Sequence, residues 1–458
     1  MTADDRPLLT RLVDIAWADL AAHDPSVLHA AAARALFDSL VCMAAGARST
    51  QVVPEEERGP VPLVGTHRSG GLLGSVAANA IAAHTDDLDD IHWPSVTHPG
   101  SVLWPSLLAV GCARGIPATQ LFSAAAFGYQ VAARAAALFG PDHRRKFHAS
   151  STSGALAVAA AVSIAINGDP DDAVTAMSHA ASGLGGTAQA LREHSRTAML
   201  HRGFSASIGV LAALHRHLVP AVTAALSGPY GLCEATTAQL DLNGLAGRSD
   251  AALLNLTMRR HPVTGFAHCL VDAILDAGPF DPSAVVGLEA EVPAFVVALT
   301  EPGPPIDVHT AAWSLPHSAA VAMAGELPAG RLQWPPTPVS ASLRERVMIE
   351  PRDATPPDLA VRGQLRLADG SAVEVARTVP YGHPDDPWTD ADLISKAARL
   401  GVASSDDGAA LLDQLTEATS TVITGRLLDV LSAPTAAQPT GYVLSDPGRA
   451  VPDHGVWA

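Results

Sequence analysis

A mainly α fold is predicted: a large all-helical domain, a smaller α+β domain, and C-terminal helices that return to the first domain. Apolar residues recur at three- and four-residue spacing through an Ala-rich first half, which is the period of packed helices. Past residue 257 alternating and β-branched runs take over, and past Thr389 the helical period returns. A chain of 458 residues that is 48% hydrophobic is too long for one small core and has apolar material enough for two.

Helices are expected at about 6–22, 26–47, 70–86, 101–114, 117–138, 150–166, 169–183, 203–217 and 247–256. Their joins carry stops and starts such as Asn167-Gly168-Asp169-Pro170, where Gly ends one helix and Asp-Pro opens the next. Residues 49–66 lack periodicity and read as a loop. In the second domain, strands are expected in Val286 to Leu299, Arg344 to Pro351 and Ala360 to Pro380, with helices at 267–277 and 308–326 between them. The alternation on both sides of Asp369-Gly370 is a hairpin signal. The expected division is therefore 1–256 helical, 257–390 α+β, 391–433 returning helices and 434–458 a Pro/Gly-containing tail.

The formal net charge of −17 argues against nucleic acid and anionic membrane as partners. No run reads as a membrane span, and the N-terminal MTADDRPLLTRLVDIAW lacks the basic region of a signal or transit peptide, so a cytoplasmic location is expected. Cys42, Cys112, Cys233 and Cys269 are far apart in apolar contexts without metal-site spacing and read as buried thiols. No metal or cofactor is expected.

The densest chemistry lies in HTDDLDDIHWPSVTHPG, from His84 to Gly100, with four carboxylates and three imidazoles in seventeen residues. The run follows one apolar helix and leads into another. It is expected at a helix end facing a cleft, where carboxylates and imidazoles shift each other's pKa and exchange protons. Asp87 and Asp90 would stand at a helix C-terminus, an electrostatically poor place for a carboxylate, which favours a functional role; Asp86 and Asp89 read as solvated or structural.

Six ordered blocks carry a resemblance: HTDDLDDIHWPSVTHPG; KFHASSTSGALAVAAAV; GLGGTAQALREHSRTAMLHRGFSASIGVLAAL; RRHPVTGFAHCLVDAI; WSLPHSAAVAM; and LADGSAVEV with YGHPDDPWTDADLISKAARL. From about residue 8 to residue 430 the chain resembles the MmgE/PrpD family, which includes 2-methylcitrate dehydratase, cis-aconitate decarboxylase and iminodisuccinate epimerase. The resemblance implies an all-helical domain with an inserted α+β lid domain, a homodimer, a small-molecule substrate and proton chemistry beside a carboxylate without a cofactor. The positions matching its acid–base motif are Asp87, His98 and His148, with His98 the first choice for the proton-transferring group because imidazole titrates near neutrality. Asp90, His201, Arg259, His268 and His317 are the expected substrate contacts.

Departures from the family pattern bear on the substrate. Ala198 stands where a Lys is common, Arg259 replaces another Lys, and His317 replaces a Tyr in SLPH. Only Lys146 and Lys396 are lysines in the whole chain; a general Arg bias explains Arg259 but not Ala198. Arg259 would hold a carboxylate and never donate its proton. With one cation fewer, the pocket suits a larger or less charged substrate than the usual tricarboxylates.

Weaker motifs are the Gly183–Thr187 turn, which lacks a P-loop Lys; Ser150–Ser153, expected as helix caps; and His143–Lys146, expected as a solvated basic loop. Three functions stay open: a cofactor-independent lyase or isomerase working by proton abstraction, a cyclase of specialised metabolism acting on a polyketide-like intermediate, and a non-catalytic binding protein.

Overall fold

The computed structural model describes residues 6–50, 59–193, 195–236, 240–246, 250–300, 303–328, 330–418, 422, 423, 428 and 431. Among them are 18 α-helices and one four-stranded sheet. The chain divides into two compact units, the first holding residues up to 85, 89–256 and those from 389 to 431, the second 86–88 and 257–388. The tail expected at 434–458, and 51–58 of the expected loop, lie outside the described residues.

The first unit is built around the helix Ala149–Asn167, in which every residue from Ala149 to Ala165 is buried. It is apolar on all sides because Gly100–Arg114, Ala118–Lys146, Pro170–Ala181 and Thr197–Leu214 surround it. Small residues permit the close approach: a Cβ on Gly209 would meet Val158 at 2.6 Å, and one on Gly128 would meet Ala161 at 2.8 Å. Ala149–Asn167 and Pro25–Thr50 are each long and apolar enough to cross a membrane by length and composition. The sequence reading registered neither, and both are mostly buried within this unit.

The helix expected at 117–138 runs Ala118–Lys146, two helices joined across Gly140 at φ 67° and ψ −171°. Glycine adopts that backbone without steric cost, so chain direction changes at Gly140-Pro141 without a loop. The helix expected at 247–256 is only a 3₁₀ turn, Ala252–Asn255, with 247–249 outside the described residues. The one expected at 203–217 starts earlier, as Thr197–Leu214.

Two buried ion pairs tie the unit together. Arg134 donates Nε and Nη2 to Asp19 Oδ2 at 2.9 and 2.6 Å. Lys396, on the returning helix Asp390–Arg399, places Nζ 2.6 Å from Asp38 Oδ1 and 3.3 Å from Cys42 Sγ on Pro25–Thr50. All four cysteines are free; Cys112 is half-buried and the others buried.

In the second unit the sheet order is Val347–Arg352, Val285–Pro293, Val361–Leu367, Ala372–Arg377, with the first pair parallel and the others antiparallel. The hairpin turns at Asp369-Gly370, where Gly370 has φ 88° and Asp369 Oδ1 accepts from the Ser371 amide at 2.9 Å. Of the stretch Val286 to Leu299 in which strands are expected, the part up to Pro293 is strand; Ala294–Leu299 is a helix, after Pro293, which lacks the N–H to continue a ladder. The helix expected at 308–326 breaks into Val308–Ala312 and Leu315–Met323, because Ser314 caps the second through the His317 amide and Pro316 sits in its first turn.

Candidate active site

The helix Leu72–His84 ends on His84, and the chain turns through Thr85 to Asp90 into the start of Gly100–Arg114. Asp89 and Asp90 are buried by this turn. Asp89 lies between two imidazoles: His84 Nδ1 is 2.9 and 3.0 Å from its oxygens, and His98 Nδ1 is 3.7 Å from Oδ2. The His98 ring also bonds the Asp90 carbonyl through Nδ1 at 3.0 Å. Both neighbours of Nδ1 are acceptors, so in the neutral ring the proton sits on Nδ1 and the lone pair on Nε2.

The loop presenting His98 is held from several sides. His92 Nδ1 and Ser95 Oγ are 2.7 Å apart, Ser95 Oγ and Thr97 Oγ1 2.6 Å, and Arg144 Nη2 donates to the Ser95 carbonyl at 2.8 Å. Val96 has φ 50°, a conformation a β-branched residue adopts only when its surroundings impose it. Arg144 thus braces the His98 loop rather than belonging to a solvated basic stretch.

His148 precedes the central helix, and its Nδ1 lies 3.2 Å from His201 Nδ1. One of these nitrogens must donate and the other accept. The accepting ring, when neutral, carries its proton on Nε2, so the pair offers one Nε2–H donor and one Nε2 lone pair. Burial, and then the Arg202 charge, hold both rings below the ordinary imidazole range, His148 well below it. The glycine turn clamps the pair: the His148 amide donates to the Gly186 carbonyl at 2.8 Å, and a Cβ on Gly186, at φ 92°, would meet Ser151 Oγ at 2.7 Å. The serines do not cap their helix as expected. Ser150 Oγ accepts from the His98 amide at 3.2 Å, and Ser151 Oγ meets Ser205 Oγ at 2.6 Å.

Asp90 departs from the substrate contact expected of it. Its oxygens accept from Tyr129 Oη at 2.6 Å and the Gly100 amide at 3.1 Å, so the carboxyl faces the core and secures the start of the next helix. Burial lifts it to about 7, against a downward pull from Tyr129 and an upward push from Asp89. A carboxyl raised from 3.8 stays protonated in the folded protein after the unfolded chain has ionised. Its contribution to stability is therefore full below about 4 and is lost as pH rises to about 7, at up to about 1.4 kcal/mol per pH unit. Urea unfolding between pH 5 and 8 is expected to show wild type losing stability relative to Asp90→Asn as pH rises; parallel curves would contradict this assignment.

Four expected site residues belong to the second unit. Asp87, in a left-handed conformation at φ 54°, pairs through Oδ1 with Arg259 Nη1 at 3.4 Å. Sequence reasoning had Asp87 orienting a histidine or substrate, whereas here it shares the charge of buried Arg259. His268 donates Nε2 to the His261 carbonyl at 3.1 Å while its Nδ1 has no partner among the described residues, and burial lowers it to about 3. His317 is buried with neither ring nitrogen hydrogen-bonded among the described residues, and burial followed by Arg344 lowers it to about 4. Such a ring is costly unless water or a ligand meets it. Nearby, His261 Nε2 and Asp272 Oδ1 are 3.0 Å apart; burial opposes Asp272 ionisation, but His261, His268 and the Tyr381 amide together outweigh it and keep the carboxyl low.

Sequence reasoning missed His84, Asp89 and Arg202. Arg202 Nη2 lies 3.3 Å from His84 Nε2, and it follows Ala198 by four residues, on the same helix face. That spacing was a usable signal: the face without a Lys at 198 still carries a cation. Donor atoms of His84, Asp89 and His98 lie within 4.8 Å of one another. Two imidazoles and a carboxylate would suit a divalent transition metal, but both Nδ1 atoms are committed to hydrogen bonds and the Arg202 charge abuts His84, so the set fits a proton network better.

Comparison with curated proteins gives no match. The family model for the MmgE/PrpD N-terminal domain matches residues 14–243, and that for the MmgE/PrpD C-terminal domain matches residues 261–418. The two matches cover most of the chain and, apart from Arg259 and Arg260, the six blocks that carried the resemblance, and the chain therefore belongs to the MmgE/PrpD family, whose members are enzymes of dehydratase, lyase or isomerase type.

Proposed function

We propose that this protein is a cofactor-independent lyase or isomerase that abstracts a proton beside a carbonyl or carboxylate, with His98 Nε2 as the base. The observation that carries this reading is the paired commitment of His98 Nδ1, to the Asp90 carbonyl at 3.0 Å and toward Asp89 at 3.7 Å, which leaves Nε2 as the basic atom. The His148–His201 pair would supply an N–H donor to the developing enolate oxygen, and the Arg202 charge would favour that oxyanion electrostatically. Asp87 is assigned to balancing Arg259 rather than to proton transfer. His268 and His317 remain the proposed substrate contacts of the second unit.

The substrate is proposed to carry fewer negative charges than the family's tricarboxylates, since Ala198 is buried where a cation is common, the Arg202 cation of that helix face is engaged with His84, and Asp87 shares the charge of Arg259. The cyclase alternative draws on the same alanine, which spares a reactive carbonyl from an amine. A homodimer in the cytoplasm is the proposed working form; exposed Leu200, Phe204 and Leu211, along one helix, offer an apolar stripe that a second copy could cover.

The test is solvent deuterium uptake by the metal-stripped dimer against 2-methylcitrate, citrate, cis-aconitate, monocarboxylic β-keto acids and β-diketones. Deuterium entering beside the carbonyl of the less charged compounds is the expected result. Turnover of the tricarboxylates would overturn the charge argument, and silence across the whole panel from folded protein would favour the cyclase.

A further inference from the structure

We infer that His84 and Asp89 are positioning residues for His98, linked to Arg202 in a one-directional hydrogen-bonded chain that decides which nitrogen of His98 is basic. The inference rests on the proton-transfer reading above and adds to it what holds Asp89 and the His98 tautomer in place.

The direction of the chain follows from its first member. A guanidinium only donates, so Arg202 Nη2, 3.3 Å from His84 Nε2, requires a lone pair on that nitrogen. Neutral His84 then carries its proton on Nδ1 and gives it to Asp89, whose two oxygens lie 2.9 and 3.0 Å away. The Asp89 carboxylate is thereby fixed, 2% exposed, with Oδ2 on the Nδ1 side of His98 at 3.7 Å. There it favours the imidazolium that forms when Nε2 takes a proton, as the Asp of a catalytic triad does for its histidine. The Asp90 carbonyl shares the Nδ1 proton and sets the ring plane.

Several charged and titratable groups about His98 bear on this balance. Asp89 favours its protonation, and the Asp90 carboxyl is turned away toward Tyr129. The His84 ring stands 5.2 Å from it, and His148 and Arg202, which oppose a further positive charge, belong to the same electrostatic cluster. Ser150, on the helix behind, accepts from the His98 backbone amide rather than from its ring. Asp89 places a carboxylate charge 3.7 Å from Nδ1 of the His98 ring, so its removal should tip the balance toward the neutral ring.

The experiment is an NMR titration of the full-length protein with isotope-labelled histidine rings, the His98 signal being identified by its loss in His98→Asn. Asp89→Asn is expected to lower the His98 midpoint by about one pH unit or more. His84→Asn, whose amide nitrogen can replace the Nδ1 donor, should keep the wild-type midpoint, while His84→Leu should shift it. A merely structural role would lower the melting temperature of all three and leave the midpoint and tautomer alone. An unmoved midpoint in folded Asp89→Asn, or a neutral His98 with its proton on Nε2, overturns the proposal; if Asp89→Asn does not fold, equal midpoints in His84→Asn and His84→Leu do so. No substrate is needed, so failure here is separable from failure of the deuterium-uptake test.

Discussion

His98→Ala is expected to lower turnover by about 10²–10⁴-fold, the range that a positioned acid–base group contributes. The side chain is 19% exposed, and buried Asp89, 3.7 Å from the ring, keeps His84 at 2.9 Å, so truncation does not leave that carboxylate unpaired. The fold should therefore survive, and circular dichroism and melting temperature should stay near wild type. The Asp90 carbonyl would find water through the space vacated by the ring. Added imidazole, small enough to enter that space, should restore part of the lost rate. The measurement is kcat on whichever compound exchanges deuterium. A folded variant that turns over at the wild-type rate would remove His98 from proton transfer and transfer the role to the His148–His201 pair.

The largest loss of stability is expected at a place far from this chemistry. Asp38→Ala takes from the Lys396 ammonium, which is 1% exposed, the carboxylate 2.6 Å away. Removing one partner of a buried pair costs about 3–5 kcal/mol because the remaining charge stays desolvated. Against a typical total of about 5–15 kcal/mol, that is a large share. Burial tends to lower the Lys396 pKa, yet Asp38 and the neighbouring Cys42 outweigh it and raise it, so the amine holds its proton in the wild type. Loss should be felt first where Asp390–Arg399 docks on Pro25–Thr50, and amide exchange there should quicken before the rest of the helical unit opens. Replacing both residues, as Asp38→Leu with Lys396→Met, should recover most of the loss, since matched apolar side chains often equal a buried pair. A cost below about 1 kcal/mol for Asp38→Ala alone in urea unfolding would mean that water reaches Lys396.

These two outcomes fall on residues of different legibility. His98 stands out in the sequence through its THPG block and through the density of carboxylates before it. Lys396 is conspicuous only as one of two lysines, and nothing local marks Asp38 as its partner 358 positions away. The helices of the first unit were legible because a period of three to four residues is a local property, and the Asp369-Gly370 hairpin because a left-handed turn needs glycine. Where the reading slipped, a single backbone feature decided. Gly140 joined a second helical stretch directly to the expected one, Pro293 ended the strand ahead of a helix, and Ser314 with Pro316 restarted a helix expected to be continuous.

By itself the sequence determined the fold class, the family and the identity of the imidazoles worth testing, because each depends on residue types at short, ordered spacings. Which of the four clustered carboxylates does what was decided only by tertiary structure. Asp87, Asp89 and Asp90 lie within four positions, yet one pairs with Arg259, one joins two histidines and one turns inward to Tyr129. Their partners come from helices and loops 39 to 172 residues distant in the chain, apart from His84 and His98. A carboxylate's pKa and role are set by burial and by the donor it meets, and both are properties of the packed chain rather than of its local order.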